Sequence, residues 1–175
     1  MLKASLVFRS LVLGAALVAC ALLLGRERSP AHAAVATQAT RFCGEQRLFG
    51  YIRSLNRSGT NYRLRFDPAF FLSGRTANQA AAQDAVVPKG QPVPNDNYVV
   101  NESHRTYLYI VTQATQIRVL LKGGDSIKGS PISIERLAQF VRGRHADKLF
   151  ESFQSGFWLG VHIDHACSLT QQYRP

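Results

Sequence analysis

Alternation between apolar and polar positions is clearest in two stretches of the chain. Residues 61–66 place Tyr62, Leu64 and Phe66 on one side and two arginines on the other, and residues 157–164 alternate in the same way. This period of two is typical of half-buried strands. Further runs rich in aromatic and β-branched residues predict strands over residues 48–55, 98–100, 106–111, 116–121 and 168–173. The turn sequence at residues 56–59 predicts a hairpin between the first two strands.

Helical patterns occupy the segments between these strands. Ser133 can cap a helix whose apolar residues from Ile134 to Val141 fall at i, i+3, i+4 and i+7, and residues 76–85 are rich in alanine. Asp67-Pro68 is typical of a helix start, and residues 147–153 are a further short candidate. The predicted fold class is α+β: a mostly antiparallel sheet of about six strands, able to curl into a small barrel, with two or three helices.

The first 33 residues have the three parts of a secretory signal peptide. Lys3 and Arg9 give a positive start, residues 11–24 are an uncharged apolar run, and Ala31-His32-Ala33 offers a small-x-small cleavage pattern. The sequence therefore predicts cleavage before Ala34 and an extracytoplasmic location: secreted, periplasmic or associated with the cell envelope. The predicted organisation is a signal peptide over residues 1–33, a flexible lead-in over 34–46 and one globular domain over 47–175.

Two alternatives concern the same N-terminal segment. An uncleaved anchor is less favoured, because 14 helical residues span about 21 Å of a hydrocarbon core of roughly 30 Å. Leu17-Val18-Ala19-Cys20 matches the pattern cut before a lipid-modified cysteine. A polar tether normally follows such a cysteine, whereas here the apolar run continues. Lipidation at Cys20 therefore stays the second choice, and membrane association is expected only through such an N-terminus.

The charge of the chain is strongly positive. The formal net charge is +10, and removal of four basic residues and one acidic residue with the signal leaves 17 basic and 10 acidic residues, net +7. A positive surface attracts anionic envelope components or a protein partner, although it can also serve solubility alone. Arg53, Arg57, Arg63 and Arg65 could form a basic hairpin interleaved with tyrosines, as in strand-based nucleic-acid readers. The predicted export argues against nucleic acid as the partner.

Cys43 and Cys167 are the cysteines that remain after the predicted cleavage. In an exported chain, two thiols near the two ends of a domain most simply form one disulfide. A metal site is the alternative, but the sequence places no third and fourth ligand beside them. The disulfide is the preferred prediction.

Two groups of polar residues are candidate sites. His162 and Asp164 would share one face of a strand and could bind a metal with His104 or His145, but a solvent-facing strand end that runs into a turn is the preferred interpretation. Asn95, Asp96, Asn101 and His104 could line a pocket, with Asp96 and His104 as an acid–base pair. The preferred interpretation is that these residues satisfy their own turn backbone, because turns require these residue types. Asp67 is interpreted as a helix cap rather than a catalytic carboxylate.

The sequence contains no nucleophile elbow, metalloprotease helix, phosphate loop or dinucleotide fingerprint. We therefore predict no catalytic residue and no cofactor. The predicted function is that of an exported, non-catalytic envelope or secreted protein that binds an anionic or protein partner. The alternative is a small extracytoplasmic hydrolase or metal-binding protein that uses Asp96 with His104, or His162 with Asp164.

Three groups of segments resemble a family of uncharacterised exported proteins from high-GC bacteria. The segments are Asp67-Pro68-Ala69 with Leu72 and Gly74, Pro92-Val93-Pro94-Asn95-Asp96 with Tyr98, Val99 and Asn101, and Phe157-Trp158 with Ser168-Leu169, Gln171-Gln172-Tyr173 and Pro175. The resemblance spans about residues 50–175. It implies a bacterial envelope or secreted protein and brings no activity with it.

Overall fold

The computed structural model describes residues 46–125 and 127–174, all within one compact unit. The predicted signal peptide, the lead-in up to residue 45, Cys20 and Cys43 lie outside the described residues. Within the described ranges, no helix is long and apolar enough to cross a membrane.

Seven strands and two helices lie within the described residues. The strands are β1 (Gln46–Ser58), β2 (Asn61–Ser73), β3 (Asn97–Val100), β4 (Tyr107–Val119), β5 (Ser130–Pro131), β6 (Phe157–His162) and β7 (His165–Gln171). The helices are α1 (Gly74–Gln83) and α2 (Ile134–Val141). Single 3₁₀ turns cover Pro94–Asp96 and Phe153–Ser155. The α+β prediction is confirmed.

Five of the strands close into a barrel. The sheet order is β3-β2-β1-β6-β7-β4-β5, and an additional pairing of β2 with β4 closes the ring. All neighbouring pairs are antiparallel except β4 and β7, which run parallel. The first strand pairs with a strand near the end of the chain, because Gln46 lies opposite Val161. The predicted curling of the sheet into a small barrel is therefore confirmed.

The order of the barrel strands defines a known topology. Numbered along the chain, β1, β2, β4, β6 and β7 follow one another around the barrel as 1-2-3-5-4, with the third and fifth parallel and α2 between the third and fourth. This is the arrangement of the OB-fold, a five-stranded Greek-key barrel. Helix α1 and β3 are an insertion between the second and third barrel strands.

The barrel interior is a continuous apolar core. Its fully buried side chains come from every barrel strand and from α2, which closes one end. They include Leu55, Leu64, Phe66, Val111, Val119, Leu137, Phe157, Leu159 and Leu169. A second, small cluster joins Ala77 and Ala81 of α1 to Val93.

Three local predictions differ from the structure. Asp67-Pro68 does not begin a helix but lies inside β2, where Gly50 pairs with Pro68. Residues 147–152 form no helix, and a 3₁₀ turn follows at Phe153–Ser155. The two strands predicted over 106–121 are one strand, β4, whose register with β7 shifts between Val111 and Gln116. Pairing with distant strands overrides the local pattern at these places.

Candidate binding face on the barrel

Strand β2 presents two arginines on the outside of the barrel. Tyr62, Leu64 and Phe66 point into the core and are 6%, 0% and 0% exposed, whereas Arg63 and Arg65 between them are exposed. Successive side chains of a strand point to opposite faces, so the two arginines share one face. Two residues of a strand advance by about 6.7 Å.

The neighbouring strands complete two rows across this face. Ser54 of β1, Arg65 of β2 and Leu108 of β4 lie opposite one another. The second row consists of Asn56, Arg63 and Ile110. Each arginine is therefore flanked by a hydrogen-bonding side chain on one strand and an aliphatic side chain on the other. Leu108 is 56% exposed, although it is a large apolar residue.

A recess of about 340 Å³ opens on this surface. It is lined by Ser54, Asn56, Arg57, Ser58, Arg63, Arg65 and Leu108. We call these residues the arginine face. Arg57 lies where β1 ends and donates from Nε to the carbonyl of Gly59 at 3.2 Å, which ties it to the β1–β2 turn. Three arginines thus line a concave surface, and no acidic residue is among its lining residues.

The acidic residues closest to this region engage other partners. Arg53 and Arg136 are the arginines that form carboxylate ion pairs within the described ranges, so Arg57, Arg63 and Arg65 have no such partner there. Glu135 lies near enough to Arg57 to be affected by its charge. The Gln113 amide that donates to the Glu135 carboxylate lowers the pKa of Glu135 most, and Arg57 contributes least. The arginine face therefore keeps its positive charge open to an anion.

Arg53 does not join the other three arginines in a basic hairpin. It sits at a register shift of β1, donates to Asp67 Oδ2 from Nε at 2.9 Å and from Nη2 at 2.5 Å, and lies over the Tyr51 ring. Tyr62 is buried and faces the core. Arg53 is exposed, but its charge is paired with Asp67. The arginines of this hairpin without a carboxylate partner among the described residues are therefore Arg57, Arg63 and Arg65, and Tyr62 does not lie between them on the surface.

Asp67 is the centre of a second polar cluster. Its side chain is fully buried on the outer side of β2, and it accepts from Arg53 and from Asn101 Nδ2 at 3.2 Å. His104 Nδ1 lies 3.9 Å from the same carboxylate oxygen. Gly50 faces this strand segment, and a Cβ there would collide with the Asp67 carbonyl. The helix-cap interpretation of Asp67 is wrong, because the carboxylate anchors the segment that follows β3 to the barrel wall.

Two oxygen atoms of this cluster are buried without a donor. Within the described part of the chain, neither Asp67 Oδ1 nor Asn101 Oδ1 has a hydrogen-bond partner. Asp67 is 0% exposed and both oxygens are buried, so solvent does not reach them. The cluster is a structural anchor in this conformation.

The structure separates the first group of predicted site residues. Asn101 and His104 meet at Asp67, whereas Asn95 and Asp96 form an exposed 3₁₀ turn with positive φ at both residues. The carbonyl of Asn95 accepts from the Asn97 amide, as expected for residues that satisfy a turn. No hydrogen bond or ion pair joins Asp96 to His104 among the described residues.

His162 and Asp164 flank the exposed β6–β7 turn. His162 pairs in register with His165, and Asp164 forms an ion pair with His165 Nδ1 at 2.7 Å. Ile163 at the tip has a positive φ of 57° and is 83% exposed. Of the other histidines, His104 lies at Asp67 and His145 packs on Phe140. In the described ranges, no three His, Cys, Asp or Glu side chains come together as a metal site.

Sequence reasoning missed two features of these surfaces. The alternation of β2 places Arg63 and Arg65 together, but Leu108 and Ser54 join them only through strand pairing. The burial of Asp67 depends on Arg53 and on a segment more than 30 residues away. Comparison with known proteins adds no further guide, because no protein-family model, curated protein or solved structure matches this chain.

Proposed function

We propose that this chain is an exported, non-catalytic protein that binds an anionic partner on its arginine face. The observation that carries the proposal is the recess bordered by Arg57, Arg63 and Arg65, with no carboxylate among its lining residues. Unpaired arginines around a concave surface attract and hold anions, because each guanidinium offers several donors to an oxyanion.

The topology of the barrel supports the same surface. OB-fold barrels bind oligonucleotides and oligosaccharides on the face of their second and third strands. In this chain those strands are β2 and β4, which carry Arg63, Arg65 and Leu108. This support is an analogy of fold, since a fold alone does not determine a ligand.

Export is supported by the N-terminal pattern and by the position of Cys167. The register places Gln46 opposite Val161 and Val161 opposite Ala166, the neighbour of Cys167. Cys43 precedes Gln46 by three residues, which can span about 10 Å. Two strand spacings amount to about 9.6 Å. A disulfide between Cys43 and Cys167 is therefore within reach, and it belongs to the proposed extracytoplasmic location.

The proposal is tested by the salt needed to elute the natively exported protein from immobilised heparin, a general polyanion. Replacing Arg57, Arg63 and Arg65 together by glutamine should lower that salt concentration clearly, because the elution reports the electrostatic contact. The matched control replaces three exposed arginines elsewhere, Arg75, Arg142 and Arg144, by glutamine. It has the same net charge and should elute close to the unmodified protein. Equal elution of the two triple variants would overturn the proposed face.

A further inference from the structure

The spacing of the arginines indicates the kind of anion that the proposed face would hold. The Cα atoms of Arg63 and Arg65 are about 6.7 Å apart, which is the rise of two residues along a strand. Six covalent bonds of the backbone separate these two Cα atoms. A phosphodiester chain in which three carbons separate successive phosphates also spans six bonds from one phosphorus to the next. Successive phosphates of such a chain can therefore face successive arginines.

Arg57 lines the same recess. It lies at the end of β1 opposite Tyr62, so it borders the two arginines of β2 without continuing their series. The recess contains arginine and no lysine. Arginine binds phosphate through two parallel hydrogen bonds, whereas lysine acts as a point charge. Arg65 and Arg63, which repeat along one face of β2, fit an extended polymer with repeated phosphates.

The side chains beside the arginines suit the unit that links the phosphates. Ser54 and Asn56 offer hydrogen bonds on one side, and Leu108 and Ile110 offer aliphatic surface on the other. A short polyol has both hydroxyl groups and CH₂ groups, so it can use both sides. Nucleic-acid strands have the same backbone spacing but are normally held by stacking of bases on aromatic side chains. No aromatic residue is among those that line the recess.

We infer that the arginine face binds an extended chain of glycerol phosphate units, with successive phosphates on Arg65 and Arg63. This inference rests on the proposed function and names its ligand class. The same phosphate–glycerol–phosphate chemistry occurs in a free polymer and in the headgroup of a diphosphatidylglycerol lipid. The recess is concave, which favours a chain that lies along it over the flat surface of a membrane.

The experiment measures binding of the natively exported protein to a synthetic glycerol phosphate oligomer by titration calorimetry. Poly-glutamate of equal charge, oligothymidylate and vesicles containing diphosphatidylglycerol are compared at the same ionic strength. We expect the glycerol phosphate oligomer to bind most tightly. Substituting both Arg63→Lys and Arg65→Lys keeps the charge but removes the paired donors, and it should weaken this binding about ten-fold. The control Arg75→Lys with Arg144→Lys should leave it unchanged.

Each other outcome excludes something specific. Equal affinity for poly-glutamate would overturn the ligand class while leaving the proposed anion-binding face intact. Tighter binding of oligothymidylate would indicate a nucleic-acid ligand instead, and binding to vesicles alone would indicate a lipid; either result overturns the inference. If none of the four polyanions binds, the inference and the proposed function fail together. Retention of full affinity in the double lysine variant would show that paired donors are not used.

Discussion

The carboxylate of Asp67 is buried away from solvent. Arg53 donates two hydrogen bonds to one of its oxygens, Oδ2. Burying a charge is costly unless it is paired and hydrogen-bonded. Asn101 adds a third donor from the segment that follows β3. The Asp67 carboxylate therefore connects β2 to β1 through Arg53 and to the segment after β3 through Asn101.

Replacing Asp67 by asparagine should lower the free energy of unfolding by about 2 kcal/mol, because hydrogen bonds to charged groups contribute about 1.5–3 kcal/mol. Chemical denaturation measures the change. Asp96→Asn is the matched control, since Asp96 is exposed and asparagine tolerates its positive φ. A loss in the Asp67 variant no larger than that of the control would contradict the anchor role.

Individual residues also show what the local sequence can predict and what it cannot. The shared direction of Arg63 and Arg65 follows from the alternation of β2 alone, and the structure confirms it. The recruitment of Arg53 by Asp67 depends on a register shift in β1, which no local pattern reveals. The sequence alone therefore predicts that Arg63 and Arg65 share a face. Which other residues belong to the arginine face follows only from the strand pairing.

At the scale of the elements, Gln171 fixes the end of β7 to two other segments. Its side chain is 2% exposed; Oε1 accepts from the Leu120 backbone N–H at 2.9 Å, and Nε2 donates to the Ser152 carbonyl at 2.9 Å. Ser155 Oγ is a further acceptor at 3.3 Å. A buried amide with satisfied donor and acceptor groups holds the segment before β6 against the exit of β4.

Replacing Gln171 by leucine should lower the free energy of unfolding by about 1–3 kcal/mol, because the Leu120 N–H would remain buried without an acceptor. Thermal unfolding followed by circular dichroism measures the effect. Gln139→Leu, on the exposed side of α2, is the control and should change stability by less than about 0.5 kcal/mol. Equal melting temperatures for the two variants would count against this role of Gln171.

Elements with strong local signals were predicted correctly. The alternation of residues 157–164 predicts β6, and Ser133 caps α2 by accepting from the Arg136 N–H. The interpretation of Asp67-Pro68 as a helix start was wrong because β1 pairs with both residues and β3 pairs with residues 70–73 just after them. Local capping chemistry cannot compete with strand partners that are distant in sequence.

At the scale of the whole molecule, export and the disulfide are tested together by the intact mass of the natively exported protein under non-reducing conditions. We expect a chain that begins at Ala34, carries no lipid and lacks two hydrogen atoms relative to the dithiol. A mass that includes residues 1–33, or a lipid on Cys20, would contradict the preferred cleavage. The reduced mass would contradict the disulfide.

The same disulfide predicts a large stability effect. Closing a loop of about 100 residues stabilises a fold by about 4.7 kcal/mol in the chain-entropy model. Substituting Cys167→Ser should therefore lower the denaturant midpoint strongly. Reduction of the unmodified protein should produce the same shift, and a midpoint insensitive to reduction would exclude the bond.

The pairing of Gln46 with Val161 determines when this protein can fold. The barrel closes only when β6 and β7 are available to join β1 to β4, so residues up to Gln171 must be synthesised before the ring can form. Contacts between residues so distant in sequence slow folding. Until then the emerging chain lacks its closed barrel, and a chain without a closed barrel suits a secretion channel for unfolded polypeptides.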